Sequence, residues 1–304
     1  MELRKNSCSF MSPGKYSLTF FYLLPLLLFF SCQKKERSYI ETIALNDVRL
    51  PKEKPGDWRY SRGEKFQTFE DFKKLNKIKP EPGKNTIYLQ PVGEFSKLQE
   101  KEIELTRQYL SRYFQLNTKI LPALSNDIFP KTARRIFKEG QEQILAGYVL
   151  DSILIRQKPK DAVVFMGITE KDLFPRPEWN YVFGQASYAD GVGVTSMYRF
   201  SNGQLTEANF KQSLERLIKI SSHEIGHMFG LSHCLNANCV MNGTNSLTET
   251  DFHFARACSL CQQKLNSSLH YNPQKRLLNL KQFFEKQHFN SELSRTDQDL
   301  NLLK

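Results

Sequence analysis

Residues 223–234 decide how this chain is interpreted, and they read HEIGHMFGLSHC. On a helix, His223 and His227 are four residues apart and project from the same face, with Cβ atoms about 5 to 6 Å apart. Both imidazoles can therefore bind one metal ion, while Glu224 lies beside the metal and can take a proton from a bound water. The stretch predicts a catalytic zinc site carried by a helix.

A third ligand follows the predicted helix. Gly230 can adopt the left-handed conformation that ends a helix, so the chain can reverse there and return His233 to the metal. Three protein ligands leave a fourth position for water or substrate, which is typical of catalytic zinc. Upstream, apolar residues recur at three- and four-residue intervals without a proline, which predicts a buried helix over about residues 206–229.

Four of the six cysteines come directly after these histidines: Cys234, Cys239, Cys258 and Cys261. Two close pairs separated by a loop fit a tetrahedral thiolate site for a structural zinc ion. The same spacing also fits two disulfides. The cysteine pattern alone leaves both interpretations open.

Together, the histidine stretch, residues 239–241 and the later pair Cys258 and Cys261 resemble the archaemetzincin family of zinc metallopeptidases. The resemblance extends upstream through residues 161–169 and 183–187, and covers about residues 84–265. It implies zinc ligation by His223, His227 and His233, with Glu224 as general base.

The resemblance also implies a second zinc on Cys234, Cys239, Cys258 and Cys261. Met241 would then be the Met-turn methionine beneath the catalytic metal. The implied fold is metzincin-like, with a mixed twisted sheet and an active-site helix, followed by a smaller C-terminal subdomain that holds the Met-turn and the four-cysteine site.

Periodicity predicts the elements around the site. Apolar and alternating runs predict strands at 86–92, 119–124, 162–168, 181–188 and 191–200, and a helix at 95–114. Asp190 and Gly191 mark a turn between the last two strands. This order predicts an α+β fold with an α/β-like N-terminal part and a mixed sheet.

The amino terminus predicts export. Residues 1–31 combine a basic start with an apolar run, as in a signal peptide, and Cys32 follows a small residue as in a bacterial lipoprotein cleavage site. We expect lipidation of Cys32 and a membrane-anchored protein on the periplasmic or cell-surface side. An uncleaved membrane anchor is the alternative.

The rest of the chain is divided by composition. Residues 32–84 are rich in Lys, Glu, Pro and Gly and predict a lipid-anchored tether and N-terminal extension. Residues 85–287 form the predicted peptidase domain, and residues 288–304 a polar, frayed tail. The net charge is +11, but the basic residues are spread among 32 acidic ones, so nucleic-acid binding is not expected.

The predicted function is hydrolysis of peptide bonds by a zinc-bound water that Glu224 activates. The same ligands could serve a zinc hydrolase of non-peptide amides or esters. A lipid-anchored zinc-binding protein without catalysis is the third interpretation, although the intact Glu224 argues against it. His253 and His270 are expected to be packed or surface residues. The natural substrate and the oligomeric state are not indicated by the sequence.

Overall fold

The structure is a computed structural model that describes residues 38–201 and 204–303. The predicted signal peptide and Cys32 lie outside the described residues, so export and lipidation stay predictions. Among the described residues, none of the helices combines the length and the apolar character needed to cross a membrane.

The strands of the described chain form two sheets. In chain order they are β1 (Thr86–Val92), β2 (Asn117–Ile120), β3 (Arg134–Ile136), β4 (Glu142–Leu145), β5 (Ala162–Thr169), β6 (Asp172–Phe174), β7 (Gly184–Ser187) and β8 (Val192–Ser196). The larger sheet has the order β2-β1-β5-β8-β7 and the smaller one β3-β4-β6. In the larger sheet only β7 runs antiparallel to its neighbour, so β7 is an antiparallel edge strand of a mixed sheet.

Helices precede, connect and follow the strands. They are α1 (Tyr39–Ile43), α2 (Trp58–Arg62), α3 (Phe69–Lys74), α4 (Lys97–Phe114), α5 (Ala146–Tyr148), α6 (Ile155–Gln157), α7 (Glu207–Met228), α8 (Leu247–Phe252), α9 (Ser259–Leu269), α10 (Pro273–Lys286) and α11 (Asn290–Leu302). A π-helical segment, Val149–Leu154, joins α5 to α6. Short 3-10 turns occupy Ala44–Asn46, Asn126–Ile128, Lys131–Ala133 and Lys138–Gly140.

Two apolar clusters cover the two faces of the larger sheet. Successive side chains of a strand point to opposite faces, so Ile87 and Leu89 join the cluster that contains α4 and α7. Tyr88 and Val92 join the second cluster, with Val149. The sheet is therefore buried on both faces, and α7 lies across one of them.

The predicted α+β fold with a mixed sheet is confirmed. Strand β1 has the predicted bounds, and α7 and β5 agree with their predictions within two residues. Strand β2 begins and ends earlier than the predicted residues 119–124, although Leu121 N and Leu124 N still donate to Leu89 O and Pro91 O of the β1 segment. The second sheet was missed because its strands have only three or four residues.

The segment predicted as a tether differs from that expectation over the residues that the structure describes. Residues from 38 onward carry α1, α2 and α3, and they belong to the same compact unit as the sheets. Ile43 and Phe72 are fully buried. Capping boxes at Ser38 and Thr68 stabilise the N-termini of α1 and α3. These helices are too short for apolar periodicity to predict them.

The polar C-terminal segment also differs from the expected frayed tail, because it contains α11. Glu292, Thr296 and Asp299 lie on one face of this helix and are buried. Asp299 accepts hydrogen bonds from Arg256 Nε at 2.7 Å and from Asn46 Nδ2 at 3.0 Å. The polar residues on this face are therefore explained by buried hydrogen bonding, while others of the segment are exposed.

Candidate active site and metal centre

The C-terminal end of α7 carries two of the predicted ligands. His223 and His227 are buried, and their Nε2 atoms are 2.9 Å apart. Gly230 has φ +91° and its N–H donates to His227 O at 2.8 Å, so the helix ends there and the chain reverses. The reversal brings the His233 ring to 4.8 Å from that of His227, measured between centroids.

The three imidazoles converge. One nitrogen from each of His223, His227 and His233 lies within 4.8 Å of the other two. The structure therefore brings together all three histidines that the sequence singled out. His253 and His270 are not part of this group, as expected, although His253 lines the cleft beside it.

Hydrogen bonds orient each imidazole. The Nδ1 atom of His223 is 2.8 Å from Val240 O, and that of His227 is 2.6 Å from Leu231 O. A carbonyl oxygen only accepts, so both Nδ1 atoms must carry the proton and both Nε2 atoms present a lone pair. Burial, followed by repulsion from His233, lowers the pKa of His223 to about 3, which keeps this ring neutral. Neutral imidazoles with free lone pairs are what a zinc ion requires.

The third imidazole is oriented from the N-terminal part of the chain. Glu64 Oε1 lies 2.5 Å from His233 Nδ1. Burial raises the pKa of Glu64, but the hydrogen bond from His233 lowers it. The resulting pKa lies below its ordinary value. A carboxylate on the second nitrogen of a metal-binding histidine fixes the tautomer and the ring orientation. The donor set of the three rings therefore fits a zinc ion.

The same N-terminal segment holds the loop that carries His233. We name residues 51–78 the N-terminal strap. Within it, Gln67 Nε2 donates to Gly230 O at 3.0 Å, and Gln67 Oε1 accepts from Ser232 N at 3.2 Å. The Trp58 ring stands edge-on to His233, with 5.0 Å between centroids. Sequence reasoning missed these residues because the strap shows no periodicity.

Glu224 lies at the wall of the cleft, opposite strand β7. Its carboxyl group packs so closely on Gly184 that a Cβ atom there would lie 2.6 Å from Glu224 Oε1. Burial raises the pKa of Glu224 to about 8. A carboxyl group with a raised proton affinity that lines the same cleft as the histidines has the chemistry of a general base.

A cleft of about 510 Å³ opens over the histidines. Strand β7 forms one wall through Gly184, Gln185 and Ala186, and the N-terminal strap contributes Trp58 and Arg62. Tyr188 also lines the cleft, with its hydroxyl 2.8 Å from His227 Nδ1. Tyr271, by contrast, is buried and donates to Gln262 O.

The four cysteines also meet. Their Sγ atoms lie within 4.8 Å of one another, all four residues are buried, and none forms a disulfide. Cys234 Sγ and Cys258 Sγ are 3.5 Å apart, which is near the edge of about 3.8 Å in a tetrahedron of 2.3 Å zinc–sulfur bonds. The N–H of Cys258 also donates to Cys239 Sγ at 3.2 Å. The cluster fits a tetrahedral zinc site.

The comparison with protein families decides the assignment. The model of peptidase family M54 matches residues 98–267. The chain belongs to this family, the archaemetzincins. This confirms the family resemblance seen in the sequence, and it establishes the chain as a zinc metallopeptidase, a hydrolase of peptide bonds.

Relatives of this M54 peptidase include eukaryotic and archaeal proteins. Archaemetzincin-2 of Homo sapiens is 33% identical over 250 residues, which cover 72% of this chain and 69% of that protein. Archaemetzincin of Pyrococcus furiosus is 33% identical over 157 residues, 51% of this chain and 79% of that protein. The crystal structure of archaemetzincin from Methanopyrus kandleri has a TM-score of 0.49 and 27% identity, covering 63% of this chain and 99% of that one.

In this M54 peptidase, Met241 packs directly below the histidine helix. Its Sδ atom fills the space where a Cβ at Gly226 would stand, and the side chain is buried. The preceding carbonyl, that of Val240, accepts the hydrogen bond from His223. The flexible thioether thus packs against the helix that carries His223 and His227.

Proposed function

We propose that His223, His227 and His233 bind the catalytic zinc ion of this peptidase and that Glu224 is its general base. The observation that carries this proposal is that one nitrogen of each ring lies within 4.8 Å of the other two, while hydrogen bonds at Nδ1 leave the Nε2 atoms available for a metal in the cleft that Glu224 lines. When bound there, a zinc ion supplies an acidified water and a Lewis acid for the scissile carbonyl.

In the proposed reaction Glu224 carries a proton from one reactant to another. Glu224 takes a proton from the attacking water and later delivers it to the leaving amine. Its carboxyl group packs on Gly184 of β7 and lines the cleft. The histidines take no part in this proton transfer, and their Nδ1 atoms stay hydrogen-bonded to Val240 O, Leu231 O and Glu64 Oε1.

We also propose that the four cysteines bind a second, structural zinc ion and that Met241 is the methionine of a Met-turn. The free thiols at tetrahedral spacing support the former. The packing of Met241 on Gly226 supports the latter. The thiolate site would fasten the loop after α7 to the start of α9.

Peptide cleavage tests the proposal directly. The zinc-loaded full chain is incubated with a mixed peptide library, and the products are identified by mass spectrometry. We expect cleavage that a chelator abolishes and zinc restores. A library left intact, together with turnover of a small amide or ester, would favour a non-peptide hydrolase.

Zinc affinity should depend on Glu64. Glu64→Ala removes the acceptor from His233 Nδ1, and the loss of such a partner weakens metal binding by about 10- to 100-fold. Equilibrium competition with a chromophoric chelator measures this. Glu53→Ala is the matched control, since Glu53 lies on the same strap and only pairs with Arg59 at 3.5 Å. Equal affinity in the two variants would contradict the role of Glu64.

A substrate peptide could pair with the edge of β7. Ser196 N donates to Phe183 O, so these two residues form a hydrogen-bonded pair. Such pairs alternate along an antiparallel ladder, and Gln185 therefore bonds toward β8 while Gly184 and Ala186 direct their backbone groups outward. Gly184, Gln185 and Ala186 all line the cleft, so the outward N–H and C=O groups of Gly184 and Ala186 would face a peptide bound there.

Removing one outward N–H tests this pairing. Ala186→Pro should lower kcat/KM for a long peptide about tenfold, because one hydrogen bond is worth about 1 to 1.5 kcal/mol. Proline is tolerated at an outward-facing position of an edge strand. Ala186→Ser keeps the N–H and is the control. Unchanged turnover of long peptides by Ala186→Pro would rule out the pairing.

A further inference from the structure

We propose that Arg62 forms a subsite for a carboxylate group of the substrate, beside the metal centre. The ligand would be an acidic side chain or the free C-terminal carboxylate of a peptide. This inference rests on the proposed function for the identity of the catalytic centre, and it adds the class of substrate that the cleft prefers.

The guanidinium of Arg62 is held by two indole rings. Its Cζ atom lies 4.7 Å from the centroid of Trp58 and 4.2 Å from that of Trp179. Arginine stacks on aromatic faces while its N–H groups remain free to bind a carboxylate. The two rings restrict the side chain before any ligand arrives, so less conformational entropy is lost on binding.

The subsite lies close to the predicted zinc ligands. Trp58 contacts Arg62 on one side and the His233 ring on the other, with 5.0 Å between the Trp58 and His233 centroids. Arg62, Trp58 and Trp179 all line the cleft that contains Glu224. A peptide held at the metal would therefore place a nearby group within reach of the guanidinium.

Arg62 has no oppositely charged partner among the described residues. Lys219 is the other lysine or arginine among the described lining residues, and it pairs with Glu215 at 2.8 Å and is 3.9 Å from Glu292. Arg62 makes no hydrogen bond or ion pair to the described residues, although Arg59 on the same short helix bonds to Glu53 and Pro51 O. An exposed guanidinium that contacts two indole rings in a substrate cleft and has no partner among the described residues fits an anionic ligand.

The chemistry of the ligand follows from the guanidinium. Its planar N–H groups match the two oxygens of a carboxylate, and such charge-assisted bonds are about twice as strong as neutral ones. Arg176 adds positive charge nearby, with its Cζ atom 5.7 Å from the Trp179 centroid. We therefore expect peptides that present a carboxylate to bind more tightly than matched neutral peptides.

The chain contains two tryptophans, Trp58 and Trp179, and Arg62 contacts both. Intrinsic fluorescence therefore reports on this subsite without any need for catalysis. The full chain carrying Glu224→Gln, loaded with zinc, is titrated with three N-acetylated hexapeptides of one backbone sequence. The first has an internal Glu and a C-terminal amide, the second an internal Gln and a free carboxylate, and the third an internal Gln and an amide.

We expect at least one carboxylate peptide to bind about tenfold more tightly than the neutral peptide, and the tighter of the two identifies the source of the carboxylate. Adding Arg62→Gln should remove the difference, whereas Arg59→Gln should keep it. Far-UV circular dichroism and zinc content verify that each variant is folded. Equal affinities for all three peptides, or no binding, would overturn the proposal, as would a preference that survives in Arg62→Gln.

Failure of this inference is distinct from failure of the proposed function. If the unsubstituted enzyme cleaves peptides without any effect of a carboxylate, only the subsite is wrong. If carboxylate peptides bind as expected but no peptide is ever cleaved, the catalytic assignment is wrong and the subsite stands.

Discussion

Glu224→Gln is expected to lower kcat for peptide hydrolysis by about 10²- to 10⁴-fold, the usual contribution of a general base. Glutamine has the size of glutamate but cannot take a proton from water. The three histidines are unchanged, so the zinc content should stay the same. Both kcat and the zinc content are measured on the same preparation.

Glu215→Gln is the matched control for this change. Glu215 lies nine residues, or about two and a half turns, earlier on α7, where it pairs with Lys219 at 2.8 Å, and it does not line the cleft. Its loss should leave kcat within about twofold, because the Glu215 carboxylate is partly exposed to solvent and lies outside the cleft. A Glu224→Gln enzyme with half of the original kcat would exclude Glu224 as the base.

Cys258→Ala is expected to cause the largest loss of stability. A structural zinc site contributes about 10 to 16 kcal/mol of apparent binding free energy that is coupled to folding. Cys258 is the N-cap of α9, and its partners Cys234 and Cys239 come just before Met241, which packs on the histidine helix at Gly226. Without the site, this turn should detach and the midpoint of thermal unfolding should fall steeply.

Ser267→Ala, also on α9, is the control for this loss. Ser267 Oγ only donates to Lys264 O within the helix, so the free energy of unfolding should change by less than about 0.5 kcal/mol. Thermal unfolding followed by circular dichroism, with and without a chelator, compares the two variants. Cys258→Ala with an unchanged midpoint and unchanged zinc content would show that the cluster has no structural role.

The catalytic helix could be predicted from the sequence because its signals are local. The spacing of His223 and His227 depends only on helix geometry, and Gly230 marks the end of the helix by its conformational freedom. Strand β1 is a continuous buried run, so its bounds also follow from neighbouring residues. The ligand candidates therefore needed no knowledge of distant contacts.

The parts that could not be predicted depend on contacts between distant residues. Glu64 lies 169 positions before His233, and no pattern in the strap marks it as a partner. Asp299 and Glu292 are polar residues whose burial is explained only by distant partners such as Arg256 and the N–H of Ala255. Composition alone predicts that the N-terminal strap and the C-terminal segment are exposed, because it cannot distinguish solvated polar groups from hydrogen-bonded ones.

The cysteines are an intermediate case. Their spacing predicted a cluster but not its chemistry, since two disulfides and one zinc site fit the same pattern. In the structure the four thiols meet at one point without a disulfide, which agrees with a shared metal ion and not with two separate bonds.

The central claim is that three converging imidazoles bind one zinc ion, and that this ion is separate from the one at the four cysteines. Elemental analysis of the purified full chain tests it most directly, by comparing the unsubstituted protein with His227→Ala. We predict two zinc ions per chain in the former and one in the latter. A protein that binds no zinc, or a His227→Ala variant that keeps both ions, would contradict the account.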